Sequence, residues 1–214
     1  MNRARSQASG YAIAMLVACS APAVVAEETV SFDPQHNPQT QQLADELAEQ
    51  GVPNAWLEQA LAQASYRQEV LDAMAGAAER RLRWFEYRDI FLTEQRIDEG
   101  VAFMKAHADA LARAESEYGV PPEVITAIMG VETYYGRHKG RHKVLDSLAT
   151  LAFHHPVRGD FFRGELAAFL TIAYQQEVAP ESLYGSYAGA MGYPQFIPTS
   201  YQAYAVDFDG DAKR

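Results

Sequence analysis

From residue 41 onward, apolar side chains recur three and four positions apart, the period of amphipathic helices. Leu43 and Leu47, stopped by Gly51, predict a short helix. Asn54 can cap a second, which carries Trp56, Leu57, Ala60, Leu61 and Ala64. Val70, Leu71 and Met74 mark a third. Thr93 caps a long helix running through Ile97, Val101, Met104, Ala108 and Leu111 to Tyr118 and Gly119. Pro121 and Pro122 open the next, where proline suits the first turn. Two further helices are expected over 144–153 and 161–174. No strong alternation of apolar and polar residues occurs, nor any internal repeat. From Ala179 onward the chain reads as loop-rich. The predicted class is mainly α.

The N-terminus departs from this pattern. Arg3 and Arg5 precede an apolar run over 11–18, too short to span a bilayer permanently but the right length for a secretory core. The only cysteine follows at once, in Leu16-Val17-Ala18-Cys19, which has the shape of a bacterial lipobox. Lipidation at Cys19 is therefore expected; the alternative is simple secretion with a cut after Ala26. The lipobox reading divides the chain into a signal peptide 1–18, a linker 19–39 holding Pro34 and Pro38, and a catalytic region 40–214. The chain stops inside an acidic loop, which reads as truncation of a longer protein.

Composition narrows the class. With 48% hydrophobic and 21% charged residues the 214-residue chain is not a disordered one. A net charge of −10 disfavours a general nucleic-acid binder, which needs a basic face for phosphates. One cysteine rules out a disulfide framework and a multi-cysteine zinc site.

The candidate chemistry centres on 121–136, PPEVITAIMGVETYYG. Residues 124–131 are apolar almost all round, so this helix is expected to be buried. Glu132 shares a face with Ile128 and Met129. A carboxyl group on an apolar face loses hydration, which favours the neutral acid that a glycosidic leaving oxygen needs as proton donor. Gly136 is expected to end the helix, with Glu132 in its last turn. The competing assignment is a structural carboxylate paired with Arg137 or Arg141.

Downstream, the stretch 185–201 is dense in glycine, aromatics and small hydroxyls, the composition of a sugar-binding loop as well as of an irregular packed one. The run 137–143 puts four formal cations directly after Glu132: a lip for anionic peptides, or simply a solvated loop. His138 and His142 lack an acidic third ligand and are not read as a metal site.

Several motifs together resemble the membrane-bound lytic murein transglycosylase B family. They are Val131-Glu132-Thr133 with Tyr135-Gly136-Arg137, Leu145-Asp146-Ser147-Leu148-Ala149-Thr150-Leu151, Gly185-Ser186-Tyr187-Ala188-Gly189-Ala190-Met191-Gly192, Gln195-Phe196, and Tyr204-Ala205-Val206-Asp207-Phe208. The resemblance runs from about residue 39 to the end. It implies a lysozyme-like α domain with an additional helical domain. It implies cleavage of the β-1,4 bond between N-acetylmuramic acid and N-acetylglucosamine without water, leaving 1,6-anhydro ends, with no catalytic cofactor. Glu132 matches the sole acid/base. Tyr87, Ser186, Gln195 and Phe196 match sugar-binding positions. The family's Pro-Arg-Arg followed by an aromatic departs here to Pro156-Val157-Arg158 and Phe161; Arg158 remains a candidate for the muramyl peptide's carboxylates. Implied partners are peptidoglycan strands and, through the lipid anchor, the outer membrane facing the periplasm, with a monomeric enzyme. A water-using muramidase and a non-catalytic wall-binding lipoprotein are the competing functions.

Asp207, Asp209 and Asp211 match positions 1, 3 and 5 of a calcium loop. The resembling family carries an EF-hand-like structural calcium site there. Ala212 stands where glycine usually makes the sharp turn, and the closing acidic ligand would lie past Arg214. The competing assignment is a solvated acidic turn.

Overall fold

The computed structural model describes residues 30–76 and 82–211. The expected signal peptide over 1–18, together with Cys19, Ala26 and Ala212, lies outside the described residues. The order of elements is α1 (Pro38–Glu49), α2 (Asn54–Ala62), α3 (Gln68–Gly76), α4 (Trp84–Phe91), α5 (Glu94–Ala106), α6 (Ala108–Tyr118), α7 (Pro122–Thr133), β1 (His142–Lys143), α8 (Val144–His154), α9 (Gly159–Gln175), β2 (Tyr184–Gly185) and α10 (Pro198–Tyr204). The mainly α reading holds. The two short strands pair antiparallel, His142 opposite Gly185 and Lys143 opposite Tyr184.

The core gathers around α8, whose residues from Val144 to Ala152 are all buried. A helix buried on every side must satisfy its polar groups internally. Asp146 accepts from the Ser65 N–H at 3.0 Å and from Arg67 Nε at 2.8 Å, and Thr150 Oγ1 accepts from the Arg67 N–H at 3.0 Å. These bonds fix the turn between α2 and α3 against α8. Leu43, Leu47, Leu57, Leu61 and Val70 of α1–α3 and Phe162, Leu166, Phe169 and Leu170 of α9 join α8 in one buried cluster. Buried Glu165 accepts from the Thr199 N–H at 3.0 Å and the Thr199 hydroxyl at 2.6 Å, which places a carboxylate at the N-terminus of α10.

The sequence expectation is corrected at several places. The segment read as linker to residue 39 carries Phe32 and Pro34 into buried positions, and Asn37 caps α1 by accepting from the Gln39 and Thr40 N–H groups. The single helix expected from Thr93 to Tyr118 is two, broken at His107 (φ −116°, ψ 23°). Helix α4 carries too few periodic positions to stand out. α10 lies within the stretch read as loop, opened by Pro198. Helix α7 is not buried: Val124, Ile128 and Val131 are about half exposed, and the apolar run gives α4–α7 an open apolar flank rather than a second sealed core.

Candidate active site

Glu132 is the penultimate residue of α7 and is exposed. The burial expected of it is therefore not a property of the free chain. Arg137, offered as its partner, turns elsewhere: its Nη1 lies 2.9 Å from both carboxylate oxygens of Glu99. Helix α7 ends one residue later than Glu132, not at Gly136. Tyr134 takes a left-handed conformation (φ 52°), followed by Tyr135 (φ 56°) and Gly136 (φ 86°). Two non-glycine residues in this region cost about 1–2 kcal/mol each, so surrounding contacts must hold them.

Those contacts come from α5. The Tyr135 hydroxyl donates to the Arg96 carbonyl at 2.8 Å. Its ring sits between Gly100 and Gly130, where a Cβ would approach the phenol oxygen to 2.6 and 2.8 Å. Arg96 Nη1 donates to the Gly130 carbonyl at 2.8 Å, and the guanidinium lies 4.2 Å from the Tyr134 ring centroid. Burial first, and then the neighbouring Glu99 carboxylate, push the Tyr134 phenol above the usual tyrosine range. For Glu99, burial pushes upward, but hydrogen bonds from Gln95, Tyr134 and Arg137 together outweigh it and hold the carboxyl below the usual range.

The glycine- and aromatic-rich loop closes on this helix end. Thr133 Oγ1 is 3.1 Å from the Tyr193 carbonyl and accepts from the Gly136 N–H at 3.0 Å. Gln195, itself left-handed (φ 50°), donates from Nε2 to the carbonyls of Gly192 (2.9 Å) and Lys139 (3.3 Å). Ser186 Oγ accepts from the Ala188 and Ala190 N–H groups at 3.2 and 3.0 Å, which leaves its proton for a ligand. Met191 and Phe196 bridge across the loop, and the half-buried Phe196 ring lies 6.5 Å from Tyr204. Ser186, Gln195 and Phe196 thus belong to one loop tied to the segment that follows Glu132.

Tyr87 projects from α4, exposed and in ring contact with Trp84 and Phe91, so it is not core packing. Its link to the site runs through Phe91 and Arg96 to Tyr134. Arg158 is the N-cap residue of α9, at the opposite end of α8 from β1, its guanidinium over Phe161 and Phe162 at 4.3 and 5.2 Å. Asp207, Asp209 and Asp211 bring one carboxylate oxygen each within 4.8 Å of one another. Asp207 Oδ1 accepts from the Gly210 and Asp211 N–H groups at 2.8 and 3.2 Å, and Gly210 (φ 79°) makes the turn. Phe208, between the first two, stacks under Arg113 of α6 at 3.8 Å. Three clustered carboxylates suit a hard cation.

Sequence reasoning missed Arg96 and Glu99, and met Thr133 and Tyr135 only inside the family motif without the role they play in holding the helix end. The local signal for the seat of the Tyr135 ring was Gly100 and Gly130, small residues in otherwise helical runs.

The Transglycosylase SLT domain family matches residues 35–214. Membrane-bound lytic murein transglycosylase B of Escherichia coli strain K12 is 43% identical over 186 residues, covering 82% of this chain and 52% of that protein. The E. coli lytic transglycosylase Slt35, solved in complex with calcium, superposes with a TM-score of 0.78 at 43% identity, covering 86% of this chain and 59% of that one. SltB3 of Pseudomonas aeruginosa, solved in complex with NAG-NAM-pentapeptide, gives 0.77 at 34% identity, covering 82% and 47%. The chain spans about half the length of the curated relative it matches.

Proposed function

The chain belongs to the Transglycosylase SLT domain family, and from that premise we propose that it is a peptidoglycan lytic transglycosylase with Glu132 as its single acid/base. The observation that carries the reading is the placement of Glu132, exposed in the last turn of α7 and directly before Thr133, which fastens that turn to the loop of Ser186, Gln195 and Phe196. A glycan strand lying on that loop passes the carboxyl group.

In the proposed reaction the neutral Glu132 carboxyl protonates the oxygen that leaves C1 of the muramic residue. The resulting carboxylate takes the proton of the C6 hydroxyl as that oxygen bonds to C1. One C–O bond breaks and one forms, the proton returns to Glu132, and no water is consumed. The substrate's own acetamido group stabilises the charge at C1, so no second carboxylate is needed. Ser186 donates to sugar oxygens; Phe196 and Tyr87 offer apolar faces to sugar rings.

The sequence reads as a catalytic region over 40–214; residues 30–39 pack with it, so we assign them to the same folded unit. The relative from E. coli is membrane-bound; for this chain we assign lipidation at Cys19, anchoring to the outer membrane from the periplasmic side, and a monomer. Calcium fits the Asp207, Asp209 and Asp211 loop, whose remaining ligands fall at or beyond Ala212. There it would neutralise three carboxylates and stiffen a loop packed on α6, with no part in the chemistry.

Mass analysis of fragments released from sacculi tests the reading. Muropeptides lighter by one water than the hydrolysis product support it. Reducing ends would make the protein a muramidase, and no release would leave a wall-binding protein.

A further inference from the structure

Beside β1, at the start of α8, lies a cavity of about 270 Å³ that the proposed reaction does not use. Its floor is the pair of Arg67 and buried Asp146, joined at 2.8 Å through both Nε and Nη2, so neither charge is free. Above it stand Arg141 and Lys143, which have no ion-pair partner among the described residues, against one unpaired acid of the lining, the exposed Glu69. Lys143 caps the N-terminus of α8, the positive end of that helix. Ser147, one turn into α8, also lines the cavity. It is fully buried, and its Oγ has no hydrogen-bond partner. Buried hydroxyls are nearly always bonded. An unpartnered hydroxyl and two unpaired cations around one small space are the complement of an oxyanion.

The cavity's position limits which oxyanion. Tyr184, half exposed on its rim, is followed in β2 by Gly185, and the next residue is Ser186. The cavity therefore opens beside the sugar-binding loop, one residue pair away along the β1–β2 ladder. A side branch of a glycan seated at Ser186 would leave the strand beside this cavity, and in peptidoglycan those branches are peptides bearing free carboxylates. We propose that this cavity binds a stem-peptide carboxylate through Arg141, Lys143 and the Ser147 hydroxyl, so that the enzyme grips peptide-bearing strands more tightly than bare ones. The inference rests on the peptidoglycan reading above and adds a second point of attachment, distinct from Arg158.

The test uses the full chain and two substrates of equal glycan length, one with stem peptides and one stripped of them. For Arg141→Gln with Lys143→Gln, KM on peptide-bearing strands is expected to rise about tenfold or more, the loss from removing charge-assisted hydrogen bonds. Turnover number and KM on stripped strands stay at wild-type values, and Arg141→Gln with Lys143→Arg keeps part of the affinity that the double Gln variant loses. Isolated stem peptide, titrated calorimetrically, should bind wild type and lose the same factor in the double variant; peptide with amidated carboxylates should bind wild type as weakly as native peptide binds the variant. Equal effects on both substrates, or no effect on either, would overturn the proposal. If wild type cleaves neither substrate, the transglycosylase reading fails instead, and the calorimetric arm alone decides the cavity: peptide affinity insensitive to Arg141 and Lys143 rejects it.

Discussion

The Thr133 hydroxyl sits 3.1 Å from the Tyr193 carbonyl, one residue after Glu132 and 60 positions away along the chain. The Met129 carbonyl, at 3.3 Å, is its other acceptor, and the Gly136 N–H donates to it. One side chain therefore ends α7, shapes the left-handed turn and fastens the loop. Gly136 allows the close approach, since a Cβ there would stand 2.1 Å from the Tyr193 ring.

Thr133→Val keeps the shape and removes the hydroxyl. It leaves the part-buried Gly136 N–H and the Tyr193 carbonyl short of a partner, a loss of about 1 kcal/mol. Melting should show the destabilisation. Activity should fall further than stability alone explains, because the loop loses its register against Glu132. Wild-type activity from a folded variant would separate the tie from catalysis.

Glu132→Gln should abolish turnover while leaving the fold and sacculus binding intact. Positioned acid/base catalysis is worth about 10²- to 10⁴-fold. The side chain is exposed, and substitution of such a surface residue shifts stability within about 0.5 kcal/mol. Release of fragments from sacculi, followed alongside pelleting with them, reads both effects.

How far the site was legible follows from what local sequence encodes. The helix carrying Glu132 announced itself by its proline start and apolar period, and the loop at 185–196 by its glycines and aromatics. The exposure of α7 did not, because an all-round apolar run looks the same whether covered or open. The end of α7 was misplaced for a related reason: Gly136 is the residue that adopts a left-handed turn at least cost, whereas Tyr134 does so only because Arg96 and Glu99 hold it from α5. Bonds spanning 34 to 60 residues leave no periodicity to read. The same holds for the cavity at Arg141, Lys143 and Ser147, of which only the charge run was visible.

Gly140→Ala should disrupt the site at its hinge. Gly140 has φ 99°, and a Cβ there would stand 1.9 Å from the Gly185 backbone carbon and oxygen. Neither strain can relax without parting β1 from β2. Overpacking costs about 1–3 kcal/mol, with about 1–2 kcal/mol more for the left-handed backbone. Loss of sugar binding together with a lower melting temperature is expected.

Glu99 gives a pH signature. Its carboxyl is held below the usual range in the folded chain, with hydrogen bonds from Gln95, Tyr134 and Arg137 outweighing burial. The sign follows: the ionised form stabilises the fold above the ordinary carboxylate range, and that contribution is lost as pH falls through the lowered folded value. Other carboxylates titrate there too, so the readout is the difference between wild type and Glu99→Gln. The gap in melting temperature should be largest near neutrality and close as pH falls. A gap independent of pH would show that Glu99 acts by packing alone.

Calcium is the last expectation. Asp207, Asp209 and Asp211 hold their oxygens within 4.8 Å of one another, and their mutual repulsion is partly offset by N–H groups donated to Asp207. An ion that binds only the folded chain stabilises it by RT ln(1 + [L]/Kd), about 2.7 kcal/mol at a hundredfold excess over Kd. Affinity follows ligand number and charge, and three carboxylates alone belong at the millimolar end or beyond. The 214-residue chain should therefore melt only slightly higher in calcium than in chelator. A chain continued past Arg214 to supply a closing carboxylate should gain several degrees, and Asp209→Asn should remove the gain. Phe208, stacked on Arg113 of α6, links the loop to the helices beside α7, so calcium should also slow proteolysis near His107, where the expected single helix breaks. A large calcium shift in the 214-residue chain would mean that backbone carbonyls or water complete the cage without that carboxylate.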